Sequence, residues 1–258
     1  MLTVTYRKKG IKLSHVWFST PEEIISQEYW KNAGDLIFLH GSTTEPWGGT
    51  LYTIQHTLIK DLQPSEEELF SSLGKHVRQY IKRSERENLV EIKLIGSQEL
   101  KTNLCVLTEI GRLYEKMKSD KGMVDSFNLS LATHYIELGA LTVAIAYFNN
   151  QAVGFSAIVH DRKAARLWLS AFDFRNSQFD NQVLSRAHQR LDWELIKWCK
   201  KSGMTSFDFG GVNSFEEPNG VAKFKLGFES KNCVTYYNYL IPNSLIGKIA
   251  LRIFLQRR

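Results

Sequence analysis

Two short runs near the end of the sequence hold residue types that could carry out group transfer. Asp208 lies in the run FDFGG at residues 207–211. A carboxylate at a strand end can orient or deprotonate an amine when its surroundings raise its pKa towards working pH. The adjacent glycines would let a ligand approach the main chain. In the alternative interpretation Asp208 holds backbone N–H groups and the glycines form an ordinary tight turn, and both interpretations stay open.

Lys225 adjoins Phe224 in the second run, GVAKFKLGF at residues 220–228. A cation beside an aromatic surface can bind a phosphate together with a base or a sugar face. Four further basic residues are spaced three or four apart, opposite an apolar stripe: Lys75, Arg78, Lys82 and Arg86. They could collect the phosphates of a sugar nucleotide or of coenzyme A. A solvated helix face is the alternative.

Two other residues are candidates for a catalytic base, and several reaction classes are excluded. His160 and Asp173 fall at the predicted ends of strands, where either could accept a proton. The seven histidines and three cysteines form no metal-ligand pattern or disulfide framework. The absence of G-x-S-x-G, G-x-G-x-x-G and Walker motifs excludes the corresponding hydrolase, dinucleotide-binding and nucleotide-hydrolysing sites. We therefore expect no metal.

The composition predicts a globular protein with a sizeable core. The chain has 258 residues, 43% of them hydrophobic, and a formal net charge of +6. We expect a cytoplasmic protein, because the N-terminus carries charges where a signal peptide needs an apolar run of roughly 7–15 residues. The charge is compatible with phosphate-bearing small molecules, RNA or anionic lipid, and we expect no binding to DNA.

The order of the predicted elements indicates how these residues are positioned. A β-rich stretch over residues 1–61 precedes one continuous helix that begins at a capping box of Ser65 and Glu68 and ends at Asn88. A strand, two helices and a three-strand meander with a turn at Asn149 and Asn150 follow. A long amphipathic helix over residues 182–201, a strand ending in glycines, a short helix and aromatic strands complete the domain. This order indicates an α/β (α+β) fold with a mixed, largely antiparallel sheet.

The basic helix and the two glycine-containing runs resemble motifs of the FemAB branch of the GNAT acyltransferase superfamily. The stretch LGKHVRQYIKR at residues 73–83 is similar to the Lys-x-x-Arg-x-x-Ile-Arg/Lys pattern of that family. FDFGG and GVAKFKLGF resemble its Tyr/Phe-Asp-Phe-Gly-Gly strand end and its Gly-x-x-x-Phe-Lys-x-Gly-Phe segment. The resemblance implies a GNAT-like domain over residues 62–242, with a reduced GNAT-like half at 1–61 packed on it and a basic amphipathic tail at 243–258.

The resemblance also implies a site between two diverging strands, at residues 167–173 and 206–211. It favours Asp208 as the catalytic base or orienting group, and Asp173 and His160 stay further candidates because of their predicted strand-end positions. Acyl-CoA as co-substrate would contact Ser170, Arg175 and Asn176. The acceptor substrate would contact seven residues: Arg78, Lys82, Gly210, Gly211, Asn213, Phe224 and Lys225. The turn at residues 175–182, RNSQFDNQ, departs from the family because it lacks the glycines of the pyrophosphate loop.

The leading hypothesis is an N-acyltransferase that moves an acyl group from acyl-CoA to a nucleotide-linked amino sugar, such as a dTDP-3-amino-3,6-dideoxyhexose, for surface polysaccharide. A second hypothesis is aminoacyl transfer from tRNA to a peptidoglycan precursor. A third is a noncatalytic protein that binds RNA or a membrane surface. The tail has an apolar stripe with basic residues between its members, and it could contact a membrane or a second subunit in a homodimer, or pack on its own domain.

Overall fold

The computed structural model describes residues 1–20, 33–45, 51–176 and 178–256, without the side chains of 254–256. Their contacts divide the chain into two compact units. The first consists of Met1–Thr57, Gly211–Glu217 and Cys233–Arg258, and the second of Leu58–Gly210 and Pro218–Asn232.

The described residues form strands and helices in the predicted mixed order, apart from three differences: a break in the helix after residue 64, an unpredicted helix at Ser97–Thr102, and one aromatic strand at Cys233–Pro242 where several were predicted. The strands are β1 (Leu2–Lys8), β2 (Ile11–Trp17), β3 (Leu36–Ser42), β4 (Leu51–Asp61), β5 (Glu91–Gly96), β6 (Leu141–Phe148), β7 (Gln151–His160), β8 (Ala164–Phe172), β9 (Ser206–Val212) and β10 (Cys233–Pro242). The helices are α1 (Glu66–Ser72), α2 (Lys75–Glu87), α3 (Ser97–Thr102), α4 (Cys105–Asp120), α5 (Leu129–Glu137), α6 (Asn181–Lys201), α7 (Gly220–Leu226) and α8 (Leu245–Gln256). The predicted α/β class with a largely antiparallel sheet is confirmed.

The first unit is built on paired strands from both ends of the chain. β1 pairs antiparallel with β2, β2 parallel with β3, and β3 antiparallel with β10. Strands β2, β3 and β10 contribute four residues to one buried apolar cluster: Val16, Ile37, Leu39 and Tyr239. The alternation of apolar residues in each strand places these side chains on one face, where their burial stabilises the unit.

The second unit contains the predicted meander. β5, β6, β7 and β8 pair antiparallel in chain order. Asn149 and Asn150 connect β6 to β7 with φ of 49° and 62°. This left-handed backbone at both central residues is typical of a tight hairpin turn, and asparagine adopts it more readily than most residues. The predicted hairpin is therefore confirmed.

The predicted single helix after residue 64 is two helices. The capping box is present, since the side chain of Ser65 accepts from the Glu68 N–H and that of Glu68 accepts from the Ser65 N–H. Leu73 is extended with ψ of 151°, which ends α1. Gly74 then donates its N–H to the carbonyl of Gly227 at 2.8 Å. A tertiary hydrogen bond thus replaces a helical one, and the apolar periodicity of the sequence did not predict this break.

The C-terminal stretch forms the helix α8 that the amphipathic pattern predicts. Its Gly247 lies so close to the backbone of Asp35 that a Cβ atom would be 1.8 Å from the Asp35 carbonyl oxygen. The helix therefore packs on its own unit through Gly247, while Leu245, Ile249 and Ile253 stay exposed. Arg257 and Arg258 lie outside the described residues. None of the helices in the described ranges is long and apolar enough to cross a membrane.

Candidate active site

Strands β8 and β9 run parallel and are paired only at their beginnings. The paired residues run from Ala164 with Ser206 to Arg166 with Asp208. β8 continues to Phe172 beyond this last pair, and its residues 167–170 are each partly exposed although the strand lies inside the sheet. Backbone pairing between β8 and β9 therefore ends at Arg166 and Asp208, where the resemblance implies diverging strands. We call the stretch of β8 beyond this last pair, residues 167–172, the β8–β9 opening.

Asp208 forms an ion pair with Arg166 at the last paired position of β8 and β9. Arg166 Nη1 donates to Asp208 Oδ2 at 2.8 Å, and both side chains are buried. The other carboxylate oxygen of Asp208 accepts the Gly210 N–H at 2.7 Å. Asp208 therefore fixes the backbone turn and neutralises Arg166, and its role in catalysis stays a prediction.

Position 210 requires glycine for two reasons: its backbone angle and the closeness of its neighbours. Its φ is +68°, and a Cβ atom would lie 2.8 Å from the Leu167 carbonyl oxygen. The left-handed conformation and this close approach both exclude a larger residue. Main chain from β9 thus comes directly against β8 at the start of the opening.

Lys225 reaches this turn from α7. It is buried, and its Nζ lies 3.8 Å from the position that a Cβ atom at residue 210 would take. Burial lowers the pKa of Lys225 to about 8, although the charges of Asp208 and Asp192 act in the opposite direction. A lysine with such a pKa can exchange a proton near neutral pH. Its neighbour Phe224 stacks on the ring of His188, with centroids 4.2 Å apart.

A buried polar group joins β7, β8 and α6. Ser156 Oγ donates to Asp192 Oδ1 at 2.7 Å and lies 3.1 Å from Ser170 Oγ. Ser170 Oγ is also 3.1 Å from His188 Nε2. Burial raises the pKa of Asp192 to about 7, opposed by the Ser156 hydrogen bond and the charge of Lys225. Burial and the same lysine lower the pKa of His188 to about 3, so its imidazole is neutral at pH 7.

The two other predicted bases have partners away from Asp208. Asp173 follows β8 and forms an ion pair with Lys116, with Nζ 2.9 Å from Oδ1. His160 ends β7, and its Nε2 lies 3.0 Å from Thr142 Oγ1. Burial lowers the pKa of His160 to about 4. In the sheet His160 pairs with Ala165, which lies in the stretch of β8 that is paired with β9. Catalysis by either residue stays a prediction.

The predicted phosphate contacts on α2 have different surroundings. Arg78 Nη1 donates to the carbonyls of Ser71 and Leu73, at 2.5 and 2.6 Å, and so completes the end of α1. Lys82 is exposed, with its Nζ 5.6 Å from the centre of the Phe70 ring. Arg78 thus stabilises the junction between α1 and α2, while Lys82 remains accessible to an anionic ligand.

Gly211 and Asn213 belong to the first unit. A Cβ atom at Gly211 would lie 2.5 Å from the Gln55 side chain, and Asn213 donates through Nδ2 to the Glu217 carbonyl at 3.1 Å. Contact of these two residues with an acceptor stays a prediction.

The turn after β8 lacks the features of a pyrophosphate loop. Arg175 is exposed, and Asn176 Nδ2 donates to Asp173 Oδ2 at 3.2 Å. Asp180 caps α6 by accepting the Gln182 N–H at 2.7 Å. A carboxylate at a helix N-terminus takes the position that favours an anion and repels a phosphate. Contact of Ser170, Arg175 and Asn176 with coenzyme A stays a prediction.

Four residues of this region were missed from the sequence: Ser156, Arg166, His188 and Asp192. A signal existed for two of them. His188 and Asp192 lie at a spacing of four residues along α6, on the same helix face as Leu184 and Ile196. Two polar residues in an apolar row indicate a buried polar group. For Ser156 and Arg166 no local signal existed, since their partners are distant in sequence. In the described part of the chain, no cluster of His, Cys, Asp and Glu is suited to hold a metal ion.

Comparison with solved structures shows the fold. The C-terminal domain (DUF2156) of a protein named as a lysylphosphatidylglycerol synthetase, from Agrobacterium fabrum, has a TM-score of 0.55 at 12% identity, over 97% of this chain and 83% of that chain. FemX has a TM-score of 0.56 at 11% identity, over 93% and 84%. L-PGS from Bacillus licheniformis has a TM-score of 0.52 at 16% identity, over 99% and 84%. The chain therefore has the FemAB-like GNAT fold of these proteins.

Comparison of sequences shows the family. A search of curated proteins found no match. The family profile described as "Acetyltransferase (GNAT) domain" matches residues 71–226, which include the β8–β9 opening, Asp208 and Lys225. Because this match covers more than half of the chain, the protein belongs to the GNAT domain family and is an acyltransferase.

Proposed function

We propose that the protein transfers an acyl group from acyl-CoA to the amine of a nucleotide-linked amino sugar. Both substrates would be bound together, without a covalent enzyme intermediate. The observation that carries the proposal is the β8–β9 opening, which is closed at one end by the Arg166–Asp208 pair and reached by the buried Lys225. Acyl transfer needs such a place, where an amine and an activated carbonyl meet away from water.

The donor side of the opening fits an acyl thioester. Residues 167–170 of β8 are partly exposed beyond the last pair with β9, so this strand edge can face an extended ligand. Backbone N–H groups there would hold the carbonyl oxygen, as donors do in acyl-transfer sites. When bound, acyl-CoA supplies an activated carbonyl carbon with a thiolate as the leaving group.

Lys225 supplies the proton donor of the proposed site. Its ammonium lies beside the main chain at Gly210, where it would stabilise negative charge on the carbonyl oxygen and give a proton to the departing sulfur. Because burial lowers its pKa to about 8, the lysine can release this proton and regain one at physiological pH.

The proposal of a phosphate-bearing acceptor rests on the charge of the protein. The net charge is +6, and Lys75, Lys82 and Arg86 on α2 are exposed in the same unit as the opening. Exposed cations on one helix attract a diphosphate and speed its encounter with the protein. An amino sugar linked to a nucleotide combines that diphosphate with the required amine.

A screen of donors against acceptors tests this proposal. Free thiol and acylated product would be measured with acetyl-CoA and longer acyl-CoAs, each offered with nucleotide-linked amino sugars, with the same amino sugars lacking the nucleotide, and with no acceptor. We expect thiol release that depends on the amino sugar nucleotide and falls at least tenfold when the nucleotide is removed. Thiol release with no acceptor dependence, or none with any donor, would contradict the proposal.

A second candidate donor, aminoacyl-tRNA, is favoured by the Asp180 cap and the missing glycines. These features weaken a pyrophosphate site at α6, and an aminoacyl ester does not require one. The acceptor would then be a peptidoglycan precursor. Transfer of a labelled amino acid from charged tRNA, with affinity that falls steeply as salt rises, would support this candidate over acyl-CoA.

A further inference from the structure

A chain of hydroxyl groups leads from the opening to a buried carboxylate. Ser170 lies in the partly exposed part of β8, Ser156 is buried on β7, and Asp192 is buried on α6. The distances along this chain are 3.1 Å between the two hydroxyl oxygens and 2.7 Å from Ser156 Oγ to Asp192 Oδ1. Ser156 Oγ is placed to donate to both Ser170 Oγ and Asp192 Oδ1, and its single hydroxyl proton serves one of them at a time. When that proton is given to the carboxylate, Ser156 Oγ is left to accept a proton from Ser170.

The carboxylate at the inner end of this chain, that of Asp192, is hydrogen-bonded through only one of its two oxygens. Asp192 Oδ2 is buried and has no hydrogen-bond partner. Two titratable groups face Asp192: the neutral imidazole of His188 on its own helix, with Nε2 3.8 Å from Oδ2, and the charged Lys225 on α7. A buried carboxylate with an unsatisfied oxygen is costly when ionised and is relieved when it takes up a proton.

His188 fixes the outer end of the chain. Its ring is held between Phe172 and Phe224, with both centroid distances 4.2 Å, and its Nε2 faces Ser170 Oγ at 3.1 Å. A ring held on both faces cannot swing away, so Ser170 keeps a fixed neighbour at the opening. The Nε2 atom of a neutral imidazole donates to the Ser170 hydroxyl or accepts from it, according to the tautomer.

We infer that Ser170, Ser156 and Asp192 form a proton relay that removes the proton of the attacking amine, with Asp192 as the final acceptor. This inference rests on the proposed function. The nitrogen forms its bond to the carbonyl carbon, the carbon–sulfur bond breaks, and the sulfur leaves with its electron pair. The nitrogen gives a proton to Ser170 Oγ, Ser170 gives its own to Ser156, and Ser156 gives its own to Asp192. Lys225 protonates the sulfur, so charge and atoms balance.

Two replacements interrupt the relay inside the protein, away from the substrate. Ser156→Ala removes the middle hydroxyl, and Asp192→Asn removes the acceptor at nearly constant volume. At saturating substrates and pH 7 we expect kcat to fall by about 10²-fold in each, with KM little changed, because general-base catalysis contributes at least this factor. The rise of wild-type kcat with pH through about 7 should disappear in both.

The matched control is Ser97→Ala. Ser97 is also a buried serine of the second unit, and its hydroxyl makes two hydrogen bonds with Leu141. Its loss should lower stability by a similar amount and leave kcat and its pH profile unchanged. If Asp192→Asn does not fold, Ser170→Ala at the partly exposed end is expected to give the same loss of kcat. Wild-type kcat and pH profile in Ser156→Ala and Asp192→Asn would overturn the relay.

An infrared titration separates failure of the relay from failure of the proposed function. In the wild-type protein without substrates, the protonated-carboxyl band of Asp192 should vanish as pH rises through about 7, and it should be absent from Asp192→Asn. In Ser156→Ala it should vanish at higher pH, because the hydrogen bond that favours the ionised form is lost. Absence of any such band between pH 5 and 9 would contradict the relay, whichever substrates the enzyme uses.

Discussion

At the scale of single residues, the site is a set of buried charges of both signs. Arg166 and Lys225 are the cations, and Asp208 and Asp192 are the acids. Asp208 is ion-paired at 2.8 Å, whereas Asp192 has a neutral hydroxyl as its hydrogen-bond partner. This difference in partners gives the two acids different tasks: Asp208 holds Arg166 and the Gly210 turn in place, whereas burial lets Asp192 take up a proton near pH 7.

Asp208→Asn is expected to lower turnover by roughly 10²-fold or more, because Asp208 is the predicted orienting group beside the Gly210 turn and a small misplacement of the reacting groups costs about this factor. The amide still accepts the Gly210 N–H, but it leaves Arg166 buried without its counter-charge, so we also expect unfolding to become easier by about 3–5 kcal/mol. Denaturant unfolding and steady-state kinetics measure the two effects. Adding Arg166→Gln should restore part of the stability and none of the turnover. Near-normal turnover in Asp208→Asn would remove Asp208 from the mechanism.

Lys225→Met should lower kcat by at least about 10²-fold, because the buried ammonium would protonate the leaving sulfur. Lys223→Met is the matched control, since Lys223 lies on the same helix and is exposed, and its activity should stay within about twofold of wild type. Burial lowers the pKa of Lys225 to about 8, so wild-type kcat should decline as pH rises through about 8. A decline that persists unchanged in Lys225→Arg would argue against Lys225 as its source.

At the scale of elements, the site depends on how β9 and α7 meet their neighbours. β9 turns at Gly210, and α7 ends at a close contact in which a Cβ atom at Gly227 would lie 2.6 Å from a methyl group of Val77. The Gly227 carbonyl also accepts the Gly74 N–H at 2.8 Å. α7, which carries Lys225, is thereby fixed against the start of α2.

Gly210→Ala is expected to destabilise the second unit more than Gly203→Ala. Both glycines have positive φ, of +68° and +80°, so alanine costs roughly 1–2 kcal/mol in either place. At Gly203 the added Cβ meets no atom within 4 Å, whereas at Gly210 it lies 2.8 Å from the Leu167 carbonyl oxygen. Thermal unfolding measures the difference. Equal stability losses would show that the β8–β9 approach is not as close as described.

At the scale of the whole molecule, three partly buried histidines govern the response to acid. Burial lowers the pKa of His15 and His160 to about 4 and that of His188 to about 3. In the unfolded chain each has a pKa of about 6.5. Their contribution to stability is full above pH 6.5 and is lost as pH falls towards the folded pKa values. Asp192 acts in the opposite sense, since burial raises its pKa and its contribution is lost as pH rises through about 7.

Acid should therefore destabilise the protein. Below pH 6.5 three histidines bind protons on unfolding and one carboxylate releases a proton. Unfolding therefore takes up protons on balance, and the free energy of unfolding decreases as pH falls. We expect a lower melting temperature at pH 5 than at pH 7, measured by calorimetry. His160→Gln should make the dependence shallower in the second unit, where His160 lies. A melting temperature that does not change between pH 5 and 7 would contradict the burial of these rings.

The sequence by itself determined most of the elements, their order and the family motifs. Local signals were sufficient for this, as in the Ser65–Glu68 capping box, the Asn149–Asn150 turn and the αL stop at Asn88. They rest on hydrogen bonds and backbone angles among neighbouring residues. The break at Leu73 was missed because its replacement hydrogen bond comes from Gly227, far along the chain.

Only the tertiary structure decided which polar groups are buried together. Arg166 meets Asp208 and Ser156 meets Asp192 across separations of 42 and 36 residues. No local pattern records such a meeting, because it depends on strand pairing and on how α6 and α7 pack. The cost of burying each charge, and therefore its pKa, is set by those partners and by the exclusion of water. The sequence thus placed Asp208 and Lys225 in motifs, and the fold gave each of them its electrostatic surroundings.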